Sequence, residues 1–594
     1  MSSTRPTTDR TPTPFPRWRP STPTALTLAL WTLAATASAE VVMTEVSTAA
    51  GVDGFTYGST TDHSLGINWV DVDRDGDPDL FLVGGNPNKG LKLYLNDGDG
   101  TFTERPDLLP TLPAYEKSGS VFADYDNDGD FDLYVYTDHG TWDNDPGVNP
   151  KDGPPNFLLQ NQLIELGGVP GDQPLFLEVA AAAGVDDLAD TPLGPDYPGY
   201  RAKTASWLDY DRDGCVDLFV GHWVMNSGGD AANRDRLYRN NCEAEGAVTF
   251  SDVTASSGID DGLDPTRFRA ALASMGAHLD DDLYPDLYVV NAGGGVEVQP
   301  YINDLIYRNN GDGTFTEITG TMTGIGNDSQ AGMGVDTADI DLDGDWDLYV
   351  SDLRSTTNDE EPKGNVLYLS RGDGTYDDNS AVEAGVQGHN SWGVNFFDVD
   401  HDGLEDLYVS TMNGAADPFE EMLFLNQGGN PATFINAGVT LGMTTGNARG
   451  SAVADYDGDG DLDLAVVNQG GELQLFRNDS TDLGHWFQLQ LSGAPRNLDA
   501  IGTLVVLTTG GVERRRQVKG GSSAHSQDAL TLHFGLGDAT TIDRIEIFWP
   551  DGRVEELLDV AVDQKMRWGA GQIFADGFES GDVSLWTSSV GGAR

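Results

Sequence analysis

A nine-residue stretch built on alternate aspartates recurs seven times along the chain, and no other feature restricts the fold as strongly. Copies begin at Asp71 (DVDRDGDPD), Asp124 (DYDNDGDFD), Asp209, His278, Asp339, Asp398 and Asp455 (DYDGDGDLD), at intervals of 53, 85, 69, 61, 59 and 57 residues. Periods of this length define stacked or radial supersecondary units, none of which can bury a core alone. Every copy runs into an apolar triplet: LFL at Leu80, LYV at Leu133, LFV at Leu218, LYV at Leu287, Leu348 and Leu407, and LAV at Leu464. A strand therefore leaves each aspartate loop. Another short apolar run precedes it (GINWV, GSVFA, ASWL, GVNFF), and LYLNDGDGTF from Leu93, IYRNNGDGTF from Ile306 and LYLSRGDGTY from Leu367 are hairpins around a Gly-Asp turn. Four strands per unit and seven units make an all-β chain, a seven-bladed β-propeller. Five residues ahead of each copy stand Gly66, Gly119, Thr204, Ala273, Gly334, Gly393 and Gly450, small residues that suit an innermost strand crowded about an axis. The phrase MTEVSTAAGV from Met43 matches LFLEVAAAAGV from Leu175, which ends a unit, so it is expected to complete the last blade and close the ring.

The loop grammar is D-x-D-x-D-G-x-x-D. Hard oxygen ligands at positions 1, 3 and 5, a glycine at 6 and a backbone carbonyl at 7 are how a short loop wraps Ca²⁺. The candidate ligands are Asp71, Asp73, Asp75, Asp77 and Asp79; Asp124, Asp126, Asp128, Asp130 and Asp132; Asp209, Asp211, Asp213, Cys215 and Asp217; Asp339, Asp341, Asp343, Asp345 and Asp347; Asp398, Asp400, Asp402, Leu404 and Asp406; and Asp455, Asp457, Asp459, Asp461 and Asp463. The side chain at position 7 varies, as expected if only its carbonyl is used. An EF-hand would need a glutamate at position 12 and a helix after it, whereas position 12 holds Leu82, Val135, Val220, Val289, Val350, Val409 and Val466. In the fourth copy His278 replaces the first aspartate and Leu283 the turn glycine, leaving Asp280, Asp282 and Asp286. About six Ca²⁺ sites are expected, with that of blade four degenerate.

This pattern resembles the FG-GAP or VCBS repeat family over roughly residues 40–482. From 483 to 569 the phrases HWFQLQLSG, AIGTLVVLTTGG, VKGGSSAHSQ, LTLHFGLGD and IDRIEIFWPDGR are similar to the ASPIC/UnbV domain, read here as a small all-β domain. The combination resembles the cartilage acidic protein family and its bacterial secreted relatives. The resemblance implies extracellular calcium binding and adhesion or ligand binding without an established reaction, with an extracellular protein or glycan as partner. Residues 570–594 form a tail whose IFADGFESGDVSLW is similar to the ends of other exported proteins.

Ninety-six acidic against 34 basic residues give a net charge of −62, which excludes nucleic acid or an anionic membrane as the partner. Arg5, Arg10, Arg17 and Arg19 followed by ALTLALWTLAATASA mark residues 1–39 as a secretory signal peptide, its apolar run being short for a membrane span. The mature chain is therefore expected at the cell surface or outside it, without membrane insertion. In that compartment Cys215 and Cys242 either pair or remain two thiols. No catalytic residue is assigned: Ser522, Ser523 and His525 lack a G-x-S-x-G elbow, and no histidine pair has zinc spacing. Arg371, Gly372 and Asp373 repeat the turn grammar of other blades, while Asn327 and Asn478 stand in glycosylation sequons. A propeller-type polysaccharide lyase or hydrolase, acting through polar residues at the channel mouth, is the alternative to a binding module. Recognition is expected on the face opposite the aspartate loops, where the irregular segments carry His139, Trp142, His222, Trp223, Tyr301 and Arg354. Lys203, Arg269, His389, Trp392 and Arg449 lie near the mouths of the inner strands.

Overall fold

Burial falls from the inside of each repeat outward. Every residue of the first and second strands is buried, as in Gly66–Val70 and Asp79–Val83 or Ala202–Leu208 and Asp217–His222. Fourth strands such as Phe102–Glu104 and Phe250–Asp252 bury only their first residue. Such a gradient requires the strands to be covered on both faces near an axis and exposed at a rim. The computed structural model describes residues 41–570 except 54–64, 85–89, 139–151, 168–173, 189–198, 224–234, 243–247, 260–269, 281, 293–303, 320–331, 354–363, 373–374, 378–379, 389, 413–421, 439, 444–445, 482 and 494. The expected signal peptide and all but the first residue of the tail lie outside these residues, as do His139, Trp142, Arg269, Tyr301, Arg354, His389, Asn327 and Asp373.

Each of the seven repeats forms a four-stranded antiparallel sheet. The first strands pack against one another in cyclic order: Gly66–Val70, Glu116–Ala123, Ala202–Leu208, Ala271–Ala277, Gly332–Ala338, Ser391–Phe397, Ala448–Ala454 and back to Gly66–Val70. Closure comes from the expected segment: Met43–Glu45 pairs antiparallel with Gln474–Asn478, Met43 opposite Asn478, so chain start and last repeat share one sheet. Cys215 and Cys242 are joined, with Cα atoms 6.1 Å apart.

Two side chains that repeat with the strands hold each blade together and join it to its neighbour. The ninth-position aspartate uses both carboxylate oxygens on backbone: Asp217 accepts from Tyr210 N at 3.2 Å and from Asn240 N at 2.7 Å, and the same pair of bonds recurs in all seven blades. The asparagine ending the third strand then reaches the neighbouring blade. Asn96, Asn161, Asn240, Asn309, Asn426 and Asn478 each donate Nδ2 to the second-position carbonyl of the preceding loop at 2.7–3.1 Å. Blade five has Ser370 there instead. Because its amide is spent in this bond and it is buried, Asn478 is not an accessible glycosylation site.

The C-terminal strands make two sheets. His485–Ser492 lies between Leu532–Gly537 and, in parallel, Gln564–Gly569; the other sheet runs Val512–Gln517, Leu504–Thr509, Thr541–Phe548, Val554–Ala561. Their core residues Phe487, Leu507, Phe534 and Ile545 belong to one apolar cluster with Val121, Tyr134 and Trp207 of blades two and three. This region is therefore continuous with the ring, and the described residues from 41 to 570 are one compact unit.

Candidate metal centres and a plugged channel

In the aspartate loops the backbone turns tightly, with positive φ at position 4 (Arg74 60°, Asn127 59°, Arg212 59°, Leu342 57°, His401 59°) and at the glycine of position 6. The turn folds its own amides onto its carboxylates. The position-6 N–H donates to the first aspartate at 2.8–3.2 Å in six loops, and the position-7 N–H to the fifth-position aspartate, as in Asp77 N to Asp75 at 3.0 Å. Each of these bonds occupies one oxygen and turns the other inward. Asp71, Asp73, Asp124 with Asp126, Asp209 with Asp211, and Asp339 with Asp341 thus converge: within each loop, three carboxylates can bring one oxygen apiece to within 4.8 Å of one another.

Several of those oxygens are buried and have no hydrogen-bond partner: Asp71 Oδ1, Asp73 Oδ1, Asp128 Oδ2, Asp209 Oδ1, Asp211 Oδ1, Asp341 Oδ1, Asp398 Oδ1 and Asp457 Oδ1. Buried acceptors that face one another with no donor are the complement of a cation. Burial, with the neighbouring carboxylates adding to it, pushes Asp71 and Asp209 up to about 7. Asp124 rises to about 9 through burial and then Asp499. In loop three Arg239 also bonds Asp211 at 2.6 Å and Asp213, so part of the positive charge there is supplied by the chain. The ninth aspartate is one of the three converging carboxylates in blades one, two and five, and its two amide bonds give it an architectural task as well; it persists as Asp286 in the altered fourth loop.

The fourth loop has a different partner. His278 is buried, its N–H donates to Gln517 Oε1 at 2.7 Å and its Nε2 lies 2.8 Å from the Gly502 carbonyl. Leu283 keeps the left-handed turn at φ 63° in the glycine's place and packs on Trp346, Leu504, Val506 and Phe548. Loss of ligand character here therefore accompanies a contact with the C-terminal sheets, which the sequence pattern alone did not signal.

Those sheets sit on the aspartate-loop face. A Cβ on the turn glycine would meet Arg567 at Gly76, Leu498 at Gly129, Arg496 at Gly214, Arg515 at Gly344, Arg514 at Gly403 and Trp486 at Gly460. The position-6 glycine thus serves a close approach as well as a turn. Between the two layers lies a cavity of about 640 Å³, lined by Arg515, Arg516, Glu405, Asp528 and His533 among others. Arg516 pairs with Glu405 across it.

From this layer residues 519–529 enter the central channel and bond to the inner edges of the blades. Lys519 pairs with Asp336, Gly520 bridges Trp207, and Ser523 bridges Val335 and accepts from Val394 N at 2.9 Å. Gln527 clasps Phe122 through both amide atoms, and Asp528 Oδ1 accepts from Val453 N at 2.9 Å and Asn395 Nδ2 at 2.8 Å. At the tip, a Cβ on Gly66 would meet the His525 carbonyl at 2.5 Å. The small residues expected from crowding at an axis are thus small, at Gly66 and Gly450, because a strand from elsewhere fills that axis. Ser522 and His525, three positions apart in sequence, are parts of this plug. Of the residues expected on the opposite face, His222 is buried against Asp187 at 2.6 Å, and Trp223, Trp392 and Arg449 are also buried.

A propeller whose loops are clustered carboxylates, sealed by a C-terminal β layer, is the class this geometry defines. Residues 57–135 and 278–350 match the FG-GAP-like repeat model, and residues 493–572 match that of ASPIC and UnbV. The chain is homologous to cartilage acidic protein 1: it is 22% identical to the mouse protein over 83% of this chain and 71% of that one, and 22% identical to the human protein over 83% and 70%. Among solved structures it is similar to rhamnogalacturonan lyase YesW, with 14% identity, 69% of this chain and 71% of the other covered, and a TM-score of 0.34. A rhamnogalacturonan lyase of Bacillus licheniformis is similar at 15% identity, with the same coverage and TM-score. Among the described residues no helix is long and apolar enough to cross a membrane.

Proposed function

We propose that this protein is an exported, calcium-stabilised binding scaffold. Residues 1–39 direct export, 40–482 form the ring, 483–569 seal it and 570–594 are the C-terminal tail. The observation that carries the calcium reading is the set of buried, unpartnered carboxylate oxygens in the aspartate loops. All-oxygen donors at alternate positions of a flexible turn suit Ca²⁺, which tolerates irregular geometry, better than Mg²⁺, which demands an octahedron and keeps its water. Positions 1, 3, 5 and 9 with the position-7 carbonyl would hold the ion in blades one, two, three, five, six and seven, the ninth aspartate keeping its two amide bonds as well. Bound calcium supplies charge that lets buried carboxylates stay ionised, and the chain's contribution is to fix the turn. The similarity to cartilage acidic protein 1 supports an extracellular setting. With the aspartate-loop face covered by the C-terminal sheets, the opposite face is left for an extracellular protein or glycan.

The test is a metal count on the purified full chain with melting recorded in calcium and in chelator, followed by a glycan and protein-ligand screen under both conditions. Six calcium ions per chain and a lower melting temperature in chelator are expected. A count near zero with unchanged melting removes the reading.

A further inference from the structure

Arg449 is fully buried, yet among the described residues no carboxylate pairs with it. Its Nη2 bonds Gln469 Oε1, its Nη1 reaches the Ala448 carbonyl at 3.4 Å, its plane lies 4.3 Å from the Trp392 ring centre, and its Nε has no partner. Burial without a compensating acid pulls the guanidinium down to about 9. Beside it Trp392 Nε1 is a further buried donor with no partner among the described residues, while His525, which already bonds the Lys203 backbone, keeps an unpartnered Nδ1. The His525 ring is 6.4 Å from that of Trp392 and 6.3 Å from that of Tyr136, so the plug tip brings its imidazole to the far end of the inner strands, between blades two and six. Burial, and then the Lys203 and Arg449 charges, pull the imidazole down to about 3 against its bond to the Lys203 backbone. Asp138, the carboxylate that His525 does feel, is already engaged by Arg201 at 2.6 Å and by Lys203 at 2.5 Å.

A guanidinium held only by an amide oxygen, a carbonyl and an aromatic face keeps an uncompensated buried charge and an unmade hydrogen bond at Nε. Donors that converge without acceptors are the mirror image of the aspartate loops, and their complement is an oxyanion. We propose that Arg449, Trp392 and His525 form an anion site at the end of the channel remote from the aspartate loops, which takes the carboxylate or sulfate group of an acidic ligand. The site rests on the reading that this protein binds its partner on that face, and it names the chemistry the partner must bring. Arg449 binds the charge, Trp392 stacks its face on the guanidinium and offers one N–H beside it, and the His525 imidazole, which only a seated C-terminal plug can provide, flanks them.

The experiment measures melting of the full, calcium-loaded chain in sodium acetate, sodium sulfate or glucuronate against sodium chloride at equal ionic strength, with glucose as the uncharged control for glucuronate. Arg449→Met and Trp392→Phe are run alongside, which subtracts the general stabilisation by sulfate. A saturable rise in melting temperature with at least one oxyanion is expected. That rise should be absent in Arg449→Met and should need several-fold more anion in Trp392→Phe. In chloride Arg449→Met should melt at the same temperature or higher, because it relieves a buried charge. A response to acetate or sulfate would assign the site to the bare anion, and a response to glucuronate alone to an acidic saccharide. No oxyanion response in the parent, an equal response in Arg449→Met, or a much lower melting temperature of that variant in chloride would each overturn the proposal. Calcium counted on the same samples keeps the two readings apart: six ions with no anion response sinks the anion site alone, and absent calcium sinks the scaffold reading.

Discussion

Two aspartates eight residues or fewer apart in the same loop should fail in opposite ways. In blade five, Asp347 accepts from Ile340 N at 3.1 Å and from Ser370 N at 2.8 Å, while Asp341 Oδ1 is buried with no partner. Asp347→Asn replaces one acceptor by a donor that then faces a backbone N–H, leaving a buried hydrogen bond unmade at a cost of about 2–4 kcal/mol. That penalty is independent of metal and should appear in chelator. Asp341→Asn removes a charge whose oxygen comes within 4.8 Å of those of Asp339 and Asp347. Two carboxylates at that separation repel by about 3 kcal/mol at an effective dielectric near 20, so in chelator this variant should melt no lower than the parent and even higher. In millimolar calcium it loses a ligand and with it most of the mass-action term of one site, about 2 kcal/mol. Thermal melting of both variants in calcium and in chelator is the assay. If Asp347→Asn is harmless in chelator, or if Asp341→Asn is as costly there as in calcium, the division between architectural and metal-facing aspartates is wrong.

The pH dependence should reverse with calcium. Asp71, Asp209 and Asp339 are raised to about 7 and Asp341 to about 6 by burial, against 3.8 unperturbed, so between those values the metal-free fold holds more protons than the unfolded chain. In chelator, stability should be highest at the acid end of that window and fall as pH rises through it, whereas calcium affinity should rise over the same window; a melting curve in chelator that climbs with pH would contradict this. His278→Ala removes the contact with Gly502 and should loosen the C-terminal layer without changing the calcium count, read by limited proteolysis and metal analysis. Asn240→Ala breaks bonds to Tyr125 O and Val216 O and should cost about 2–4 kcal/mol, whereas Ser370→Ala in blade five should cost under 1; equal melting of the two variants would refute the inter-blade role. A chain truncated after residue 482 should expose the polar inner strands and aggregate or melt far below the parent, and a stable truncated ring would show that the plug is dispensable.

The ring was legible because its signals are local and repeated. Period, apolar triplets and Gly-Asp turns are each contained in a few residues, and the Met43 closure could be read because its phrase copies one found inside the repeat. The plug was not legible, because VKGGSSAHSQDA carries no periodicity of its own. Its bonds are backbone bridges and single side chains, such as Gln527 on Phe122 and Ser523 on Val394, set by a channel that exists only once seven blades have closed. The inter-blade asparagines lie between these cases. LYLN, LLQN, LYRN, IYRN, LFLN and LFRN repeat the residue openly, but its partner carbonyl is 86–115 residues earlier within the chain, and 360 later for Asn96 at the closure; blade two reaches back 89. Asn478 reaches back 79. Repetition marks such a residue, and only the fold says to what it is bonded.

Charge explains why the C-terminal layer lies where it does. Residues 483–569 carry nine of the 34 basic residues and nearly balance their own acids, while the rest of the chain holds almost all of the −62 excess. Arg496, Arg514, Arg515 and Arg567 stand over the turns of four aspartate loops, so the attraction is strongest when the loops are empty and most negative. Calcium would weaken that attraction by neutralising the loops, yet it would also fix the turns on whose glycines the arginines pack. If removing the metal loosens the layer, the cause is therefore lost shape and not lost electrostatic attraction, since repulsion among metal-free carboxylates acts directly on the turns beneath the arginines.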